Sequence, residues 1–265
     1  INYGLRDLYA TQLVSGNLNK ICFGHYLSAE KKVPIHKDTA EHLSSFALHF
    51  DARLLAEYLE KVALDRGIKC VDAEVKNISA KENGQIEKLI LNNGDSIALD
   101  FVFDCSGFKR LILGSFYNAT WRSYSDILPM NSAAPFFLPI DETVKPVTEA
   151  IAMKYGWVWK IPTKNRYGCG YVFDSNYISK EEAIKEVEDY FGTKIDSPTC
   201  FSFEAGAYEQ VLVNNCMAIG LSQGFIEPLE ATSIWTSLEF LDLFLREDGI
   251  NNTSPYYIEE FNKNC

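Results

Sequence analysis

The chain has 16 glycines, yet none falls into a G-x-G-x-x-G spacing after a strand, so the usual sequence mark of a dinucleotide pyrophosphate cradle is missing. Gly168-Cys169-Gly170 comes nearest and lies inside a strand-like run without a third glycine. The seven cysteines are odd in number and include no C-x-x-C pair, which argues against both a disulfide framework and a zinc site. Cys70, Cys105, Cys169 and Cys216 sit in apolar runs and read as small buried residues, a usage that points to a reducing cytoplasm. No apolar stretch reaches the ~20 residues of a membrane helix, and no signal peptide is visible, so neither a membrane nor secretion is expected. Basic runs are absent as well. With 25 Lys+Arg against 36 Asp+Glu, the net charge is −11, and nucleic acid is excluded as a partner. Repeats, low-complexity tracts and clear linkers are also missing, and the first residue is Ile1 rather than Met, which places the expected true start upstream.

What is present argues for a packed core. Hydrophobic residues make up 47% and aromatics 13% of 265 residues, enough for one large domain or two small ones. Asp51 to Arg66 reads as a helix with Leu54, Leu55, Tyr58, Leu59 and Val62 on one apolar stripe, and Gly67 suits its stop. Val71–Ser79, Ile86–Leu91 and Ser96–Leu99 read as a β-meander punctuated by Asn83-Gly84 and Asn93-Gly94. Phe101-Val102-Phe103 follows as a short strand, apolar on both faces. Residues 146–174 are aromatic and β-like. Ser179 with Glu182 forms a capping box that opens a helix through about Phe191. Cys200–Phe203 and Val211–Ile219 read as strands, the second delivering the chain to Gly220. Interleaving of this kind indicates a mixed α/β fold, with a β-rich layer over roughly residues 110–210.

Residues 220–234 carry the densest chemical signal. Glu227 and Glu230 flank Pro228-Leu229 at the mouth of a helix that opens near Ala231 and carries Ile234, Trp235, Leu238, Leu241, Phe244 and Leu245 on one face. A helix start offers unpaired N–H groups and the positive end of a dipole, so it attracts anions. Spacing alone admits two readings: ordinary acidic residues favourable to the dipole, or carboxylates kept beside an anion site for use. Asp104-Cys105-Ser106-Gly107 is equally open, either a tight turn after a strand or a small-residue turn that lets a cofactor approach the backbone. Trp157 and Trp159 read first as a packed pair on one strand face. Lys154 and Lys160 read as solvated, and His49 as a structural histidine.

Four blocks, in order, resemble the flavin-dependent tryptophan halogenase family. Gly224-Phe225-Ile226-Glu227-Pro228-Leu229-Glu230-Ala231-Thr232 looks like its Gly-Phe-(Ile/Val)-Glu-Pro-Leu-Glu-(Ser/Ala)-Thr signature. Trp157-Val158-Trp159-Lys160-Ile161-Pro162 is similar to its Trp-x-Trp-x-Ile-Pro motif. Phe46 to Ala52 and Asp100 to Phe108 also fit. The resemblance implies an FAD-binding α/β fold of the hydroxybenzoate-hydroxylase type with mixed sheets, as the internal part of a single halogenase domain. The implied reaction is chlorination or bromination of an electron-rich aromatic such as tryptophan or an indole, using reduced FAD (FADH2), O2 and chloride or bromide. Family members receive reduced FAD from a separate NAD(P)H-dependent flavin reductase; a homodimer stays open. By resemblance, Glu230 faces a pocket lysine and polarises the halogenating species or removes the ring proton. Thr232 and Ser233 supply the amides of the halide site. Asp104, Ser106, Gly107, Gly220 and Ile234 lie near the flavin dinucleotide. Trp157, Trp159, Ile161 and Pro162 turn the chemistry from hydroxylation toward halogenation, and Tyr3 matches an aromatic that sandwiches the indole.

The chain departs from the family pattern in places. Ser233 stands where many members have glycine, Ala231 where many have serine, and Ile1 where tryptophan-specific members have histidine. The resemblance implies that the dinucleotide fingerprint and the pocket lysine belong to the family's part upstream of residue 1 and that the family's C-terminal helical part lies beyond residue 265, so a stretch limited to these residues is expected to be inactive. Two alternatives remain: a flavin-dependent aromatic monooxygenase, and a catalytically incompetent truncated halogenase-like domain.

Overall fold

The computed structural model describes residues 27–43, 47–195, 199–226 and 233–265. In chain order come α1 (Ala52–Asp65), β1 (Val75–Ala80), β2 (Ile86–Leu91), β3 (Ser96–Ala98) and β4 (Val102–Asp104). Strands β5 (Trp121–Ser123), β6 (Ser132–Pro139), β7 (Glu149–Ala152), β8 (Gly156–Pro162) and β9 (Arg166–Phe173) precede α2 (Lys180–Phe191). Five short strands follow: β10 (Phe201–Ser202), β11 (Gly206–Tyr208), β12 (Leu212–Val213), β13 (Cys216–Ala218) and β14 (Gly224–Phe225). Helices α3 (Ser233–Arg246) and α4 (Pro255–Asn264) close the order. The chain divides into two compact units, one of residues 1–67, 134–172 and 179–200, the other of residues 68–133, 173–178 and 201–265.

The first unit is a sheet in the order β6-β9-β8-β7 with α2 packed on it. Helix α2 begins as the capping box requires: Ser179 Oγ accepts from the Glu182 amide, and the Glu182 carboxylate accepts from the Ser179 amide. Two orphan N–H groups are thereby satisfied, and Gly192 at φ +65° ends the helix. Ala183 and Val187 are buried, the Phe191 ring meets Phe136 at 6.0 Å, and the Tyr171 hydroxyl donates to Glu186 at 2.9 Å. Trp157 and Trp159 sit edge to face at 6.2 Å. The Trp159 ring covers Gly170, where a Cβ has no room, so the pair is tightly packed on its strand. Lys160 is not solvated as the sequence suggested. Its ammonium lies between Asp141 and Glu149, both at 3.6 Å, and over the Tyr167 ring at 4.0 Å. The reason is its place on an inner strand beside β7, which carries Glu149, with Asp141 in the connection after β6.

The second unit contains the expected meander β1-β2-β3, with Gly84 and Gly94 at φ +84° and +91° in its turns. The run expected as one strand at 211–219 is instead a hairpin, β12 and β13, because Asn214 takes φ +52° between them. Strand β4 packs on both sides, as its apolar run requires. Val102 meets the Ile86, Leu113 and Cys216 cluster, and Phe101 and Phe103 meet the Phe244, Met217 and Phe261 cluster.

The sequence expectation on cysteine burial holds for two residues and fails for two. Cys169 and Cys216 are buried, but Cys70 and Cys105 are exposed, because Cys70 lies in a connection and Cys105 on a turn beyond a strand end. The apolar stripe of α1 enters no core, and that of α3 enters one only at Phe244. No residue of α1 is buried, and Leu54 is 54% exposed. On α3 the residues that enter the core are Phe240, Leu243 and Phe244, whereas Ile234, Trp235 and Leu238 face out, Trp235 by 63%. Apolar residues occupy most of the helix circumference, so periodicity alone did not choose between these faces.

Candidate functional site

Two adjacent parallel strands build the site within the second unit. Val102, Phe103 and Asp104 of β4 lie opposite Cys216, Met217 and Ala218 of β13. Their carboxyl ends therefore emerge side by side, the edge at which open parallel sheets receive ligands. Beyond β4 the chain turns through Cys105 and Ser106 into one tight helical turn, Gly107–Lys109; beyond β13 it passes Ile219 into a matching turn, Gly220–Ser222. Gly107 and Gly220 both open their turns at φ +66°, a left-handed conformation that strains any residue with a Cβ. A Cβ on Gly107 meets nothing within 4 Å. Conformation selects glycine there, and the side of the turn that a Cβ would occupy is open.

The side chains of this turn point inward and hold it. Asp104 is 3% exposed. One of its oxygens accepts from the Ser106 amide at 2.9 Å, and the other from the Ile112 amide at 2.9 Å and the Leu113 amide at 3.4 Å. These last two amides belong to the single π-type turn Leu111–Phe116, so the carboxylate caps a helix start, where negative charge is favoured. Ser106 Oγ accepts from the Leu111 amide at 2.8 Å. Ser222, with 0% exposure, accepts from the Gly107 amide through Oγ at 2.8 Å. The amides of Ser106 and Gly107 are thus spent internally, and what the turn offers outward is close backbone approach.

A cavity of about 570 Å³ adjoins Gly220 and is lined by Tyr208, Gln223, Phe225, Ser233 and Ser237 among others. That volume suits a drug-sized or aromatic small molecule. Phe225 also stands edge-on to Phe108 at 5.3 Å and to Phe203 at 4.9 Å, so the ring next to Gly107 and the cavity wall belong to one aromatic cluster. Burial pushes the Tyr208 hydroxyl above its ordinary value, against the pull of neighbouring Arg110, and Tyr208 is a neutral donor at pH 7. The Arg110 guanidinium stacks over Trp121 at 3.4 Å, and burial lowers its pKa.

Of the residues singled out in the sequence, Asp104, Ser106, Gly107 and Gly220 meet at this edge, and Ser233 reaches the cavity. Ile234 follows Ser233 on α3 and is exposed. Trp157, Trp159, Ile161 and Pro162 lie on β8 of the first unit. Glu230, Thr232 and Tyr3 lie outside the described residues. Sequence reading missed Ser222, Phe108 and Tyr208. Ser222 lies two residues before the Gly224–Thr232 signature, but nothing in its spacing marks a buried hydroxyl aimed at a turn 115 residues away. His49 is satisfied, with Nε2 at 3.3 Å from Thr148 Oγ1. Among the described residues no cluster of three or more His, Cys, Asp or Glu could hold a metal ion, and no helix is long and apolar enough to cross a membrane.

A family model described as tryptophan halogenase matches residues 6–265. The chain is 37% identical over 195 residues to tryptophan 6-halogenase SttH of Streptomyces toxytricini, covering 72% of this chain and 37% of that protein. It is 32% identical over 227 residues to tryptophan 7-halogenase RebH of Lentzea aerocolonigenes, covering 83% of this chain and 43% of that one. The chain therefore spans less than half the length of these two relatives. BrvH, a flavin-dependent halogenase from Brevundimonas sp. BAL3, superposes with a TM-score of 0.85 at 29% identity, over 97% of this chain and 55% of that one. The mixed α/β architecture is that of the flavin-dependent halogenases. The glycine turns, the signature helix and the matches along nearly the whole chain agree, and the chain belongs to the tryptophan halogenase family.

Proposed function

We propose that the complete gene product halogenates an electron-rich aromatic ring, tryptophan or another indole, with reduced FAD, O2 and chloride or bromide. The observation that carries this reading is the pair of left-handed glycine turns, Gly107 and Gly220, at the carboxyl ends of two adjacent parallel strands, beside a cavity lined by the first turns of the signature helix. When bound, FAD supplies the oxidation of halide. The chain's own residues supply the rest. Gly107 and Gly220 admit the cofactor to the backbone, while Asp104 and Ser106 hold the first turn rigid from inside. The amides of Thr232 and of Ser233, the latter the first residue of α3, hold the halide, because amides at a helix start and the helix dipole favour an anion. Glu230 accepts a hydrogen bond from the halogenating species or the proton leaving the ring carbon, both within a carboxylate's repertoire. Tyr3 stacks on the arene. Trp157, Trp159, Ile161 and Pro162 shield the reaction from the route to hydroxylation. Reduced FAD comes from a separate NAD(P)H-dependent flavin reductase.

The test is mass spectrometry of indole and phenol panels incubated with the complete gene product, reduced FAD, O2 and bromide. A bromide-dependent mass gain is expected; halide-independent insertion of oxygen makes the protein a monooxygenase instead. Replacing Glu230→Gln is expected to lower halogenation by at least about 100-fold while FAD binding survives. Retained turnover in that variant removes Glu230 from the mechanism.

A further inference from the structure

The two glycine turns are not independent. The Gly107 amide donates to the Ser222 hydroxyl at 2.8 Å, and Ser222 is wholly buried on the last residue of the opposite turn. Among the described residues, the other hydrogen bond across this edge is the end of the ladder itself, the Ile219 amide to the Asp104 carbonyl at 3.0 Å, and the Phe108 ring beside the first turn meets Phe225 beyond the second at 5.3 Å. Inside the first turn, Asp104 and Ser106 fix the backbone to its own following helix, which sets the shape of the turn but not its distance from Gly220. The Ser222 hydroxyl is therefore the hydrogen bond that joins the backbone of one glycine turn directly to the other. A buried hydroxyl in this role has little freedom, because an amide without an acceptor in a dry site is costly.

We propose that Ser222 is a positioning residue for the flavin: by bracing the Gly107 turn against the Gly220 turn, it fixes the gap across which the cofactor is held. The inference rests on the reading that this edge holds FAD. Ser222 acts without touching the cofactor. Its loss frees the Gly107 amide, lets the turn drift, and weakens the fit of a rigid ring system to two backbone faces at once.

Affinity for FAD is to be measured by fluorescence quenching in the complete gene product, for the natural protein, Ser222→Ala and Tyr117→Phe. The last variant removes a hydrogen bond of the same kind, from the Tyr117 hydroxyl to the Gly84 carbonyl at 2.9 Å, within the same unit but at the meander. Ser222→Ala is expected to weaken FAD binding about tenfold or more and to change the fine structure of the bound flavin's long-wavelength absorption band. Tyr117→Phe is expected to leave both within about twofold of the natural protein. If Ser222→Ala binds FAD as the natural protein does, or Tyr117→Phe loses as much, the bracing role is wrong. If the natural protein binds no FAD, the proposed function itself falls, and this inference with it. Should Ser222→Ala not fold, Ser222→Cys replaces it: its thiol is only a weak acceptor, so FAD binding weakened beyond that of Tyr117→Phe supports the brace, and binding equal to that of the natural protein overturns it.

Discussion

Asn215 replaces part of a β-ladder with one side chain. It is buried, its Oδ1 accepts from the Ile86 amide at 2.7 Å, and its Nδ2 donates to the Ile86 carbonyl at 2.8 Å and the Asp100 carbonyl at 2.9 Å. The start of β2 and the approach to β4 are thereby tied to the β12–β13 turn, and β4 is the strand that delivers Asp104 to the site. Replacing Asn215→Ala strands a buried amide and removes one partner from each of two carbonyls. The expected cost is about 2–4 kcal/mol, read as a lower urea midpoint with the slope of the transition unchanged; a midpoint shift corresponding to under about 0.5 kcal/mol contradicts this role. Nothing in the sequence marks Asn215 out from Asn214 beside it, because an amide's value here depends on backbone groups 115 and 129 residues away. Ser222 is hidden for the same reason. Gly107 and Gly220 were legible, since a glycine directly after a buried strand has few other uses.

Helix α1 has no buried residue to hold it, so its ends and its tether carry unusual weight. Asp51 is its N-cap: Oδ1 accepts from the Arg53 and Leu54 amides, and Oδ2 from Arg166 of β9 at 2.7 Å. The Arg166 hydrogen bond first, and the Leu54 amide next, hold the Asp51 carboxyl below its ordinary value of 3.8. A carboxyl whose pKa is depressed in the folded state binds fewer protons folded than unfolded around that pH. Its stabilising contribution is therefore complete above the ordinary value and is lost as pH falls through the folded one. Asp51→Asn keeps a competent cap but removes the charge. The expected result is a Tm below that of the natural protein at pH 6, with the gap closing as pH falls below the ordinary carboxyl value of 3.8 and through the lower folded one. Thermal melts followed by circular dichroism across this range check it, and a gap independent of pH places the effect in packing rather than charge. The element was visible in the sequence because its stripe and its Gly67 stop are local signals. So was α2, whose capping box lies within four residues. The Asp51–Arg166 tether was not, because its partners are far apart in the chain.

At the scale of the whole molecule, what the sequence conceals is which apolar face is covered. Four blocks of motif were enough for the fold family, since the residues that shape turns and helix starts are read locally. Burial is a different kind of property, decided by whatever packs against a face: the stripe on α1 is open, and the stripe on α3 is open at Ile234, Trp235 and Leu238 but buried at Phe244. Leu54, Tyr58 and Leu59 form one contiguous exposed patch on α1, with Leu55 at its edge, and such patches drive association in water. The 265-residue chain on its own is therefore expected to self-associate with rising concentration despite its net charge of −11. Combining Leu54→Lys with Leu59→Glu leaves that charge unchanged, replaces exposed side chains with good helix formers, and removes no core contact. Sedimentation velocity across a concentration series is expected to show less association in the double variant. Unfolding free energy is expected to stay within about 0.5 kcal/mol of the natural chain. Equal association in both chains acquits this face, and a large loss of stability in the variant means that the patch is covered in solution.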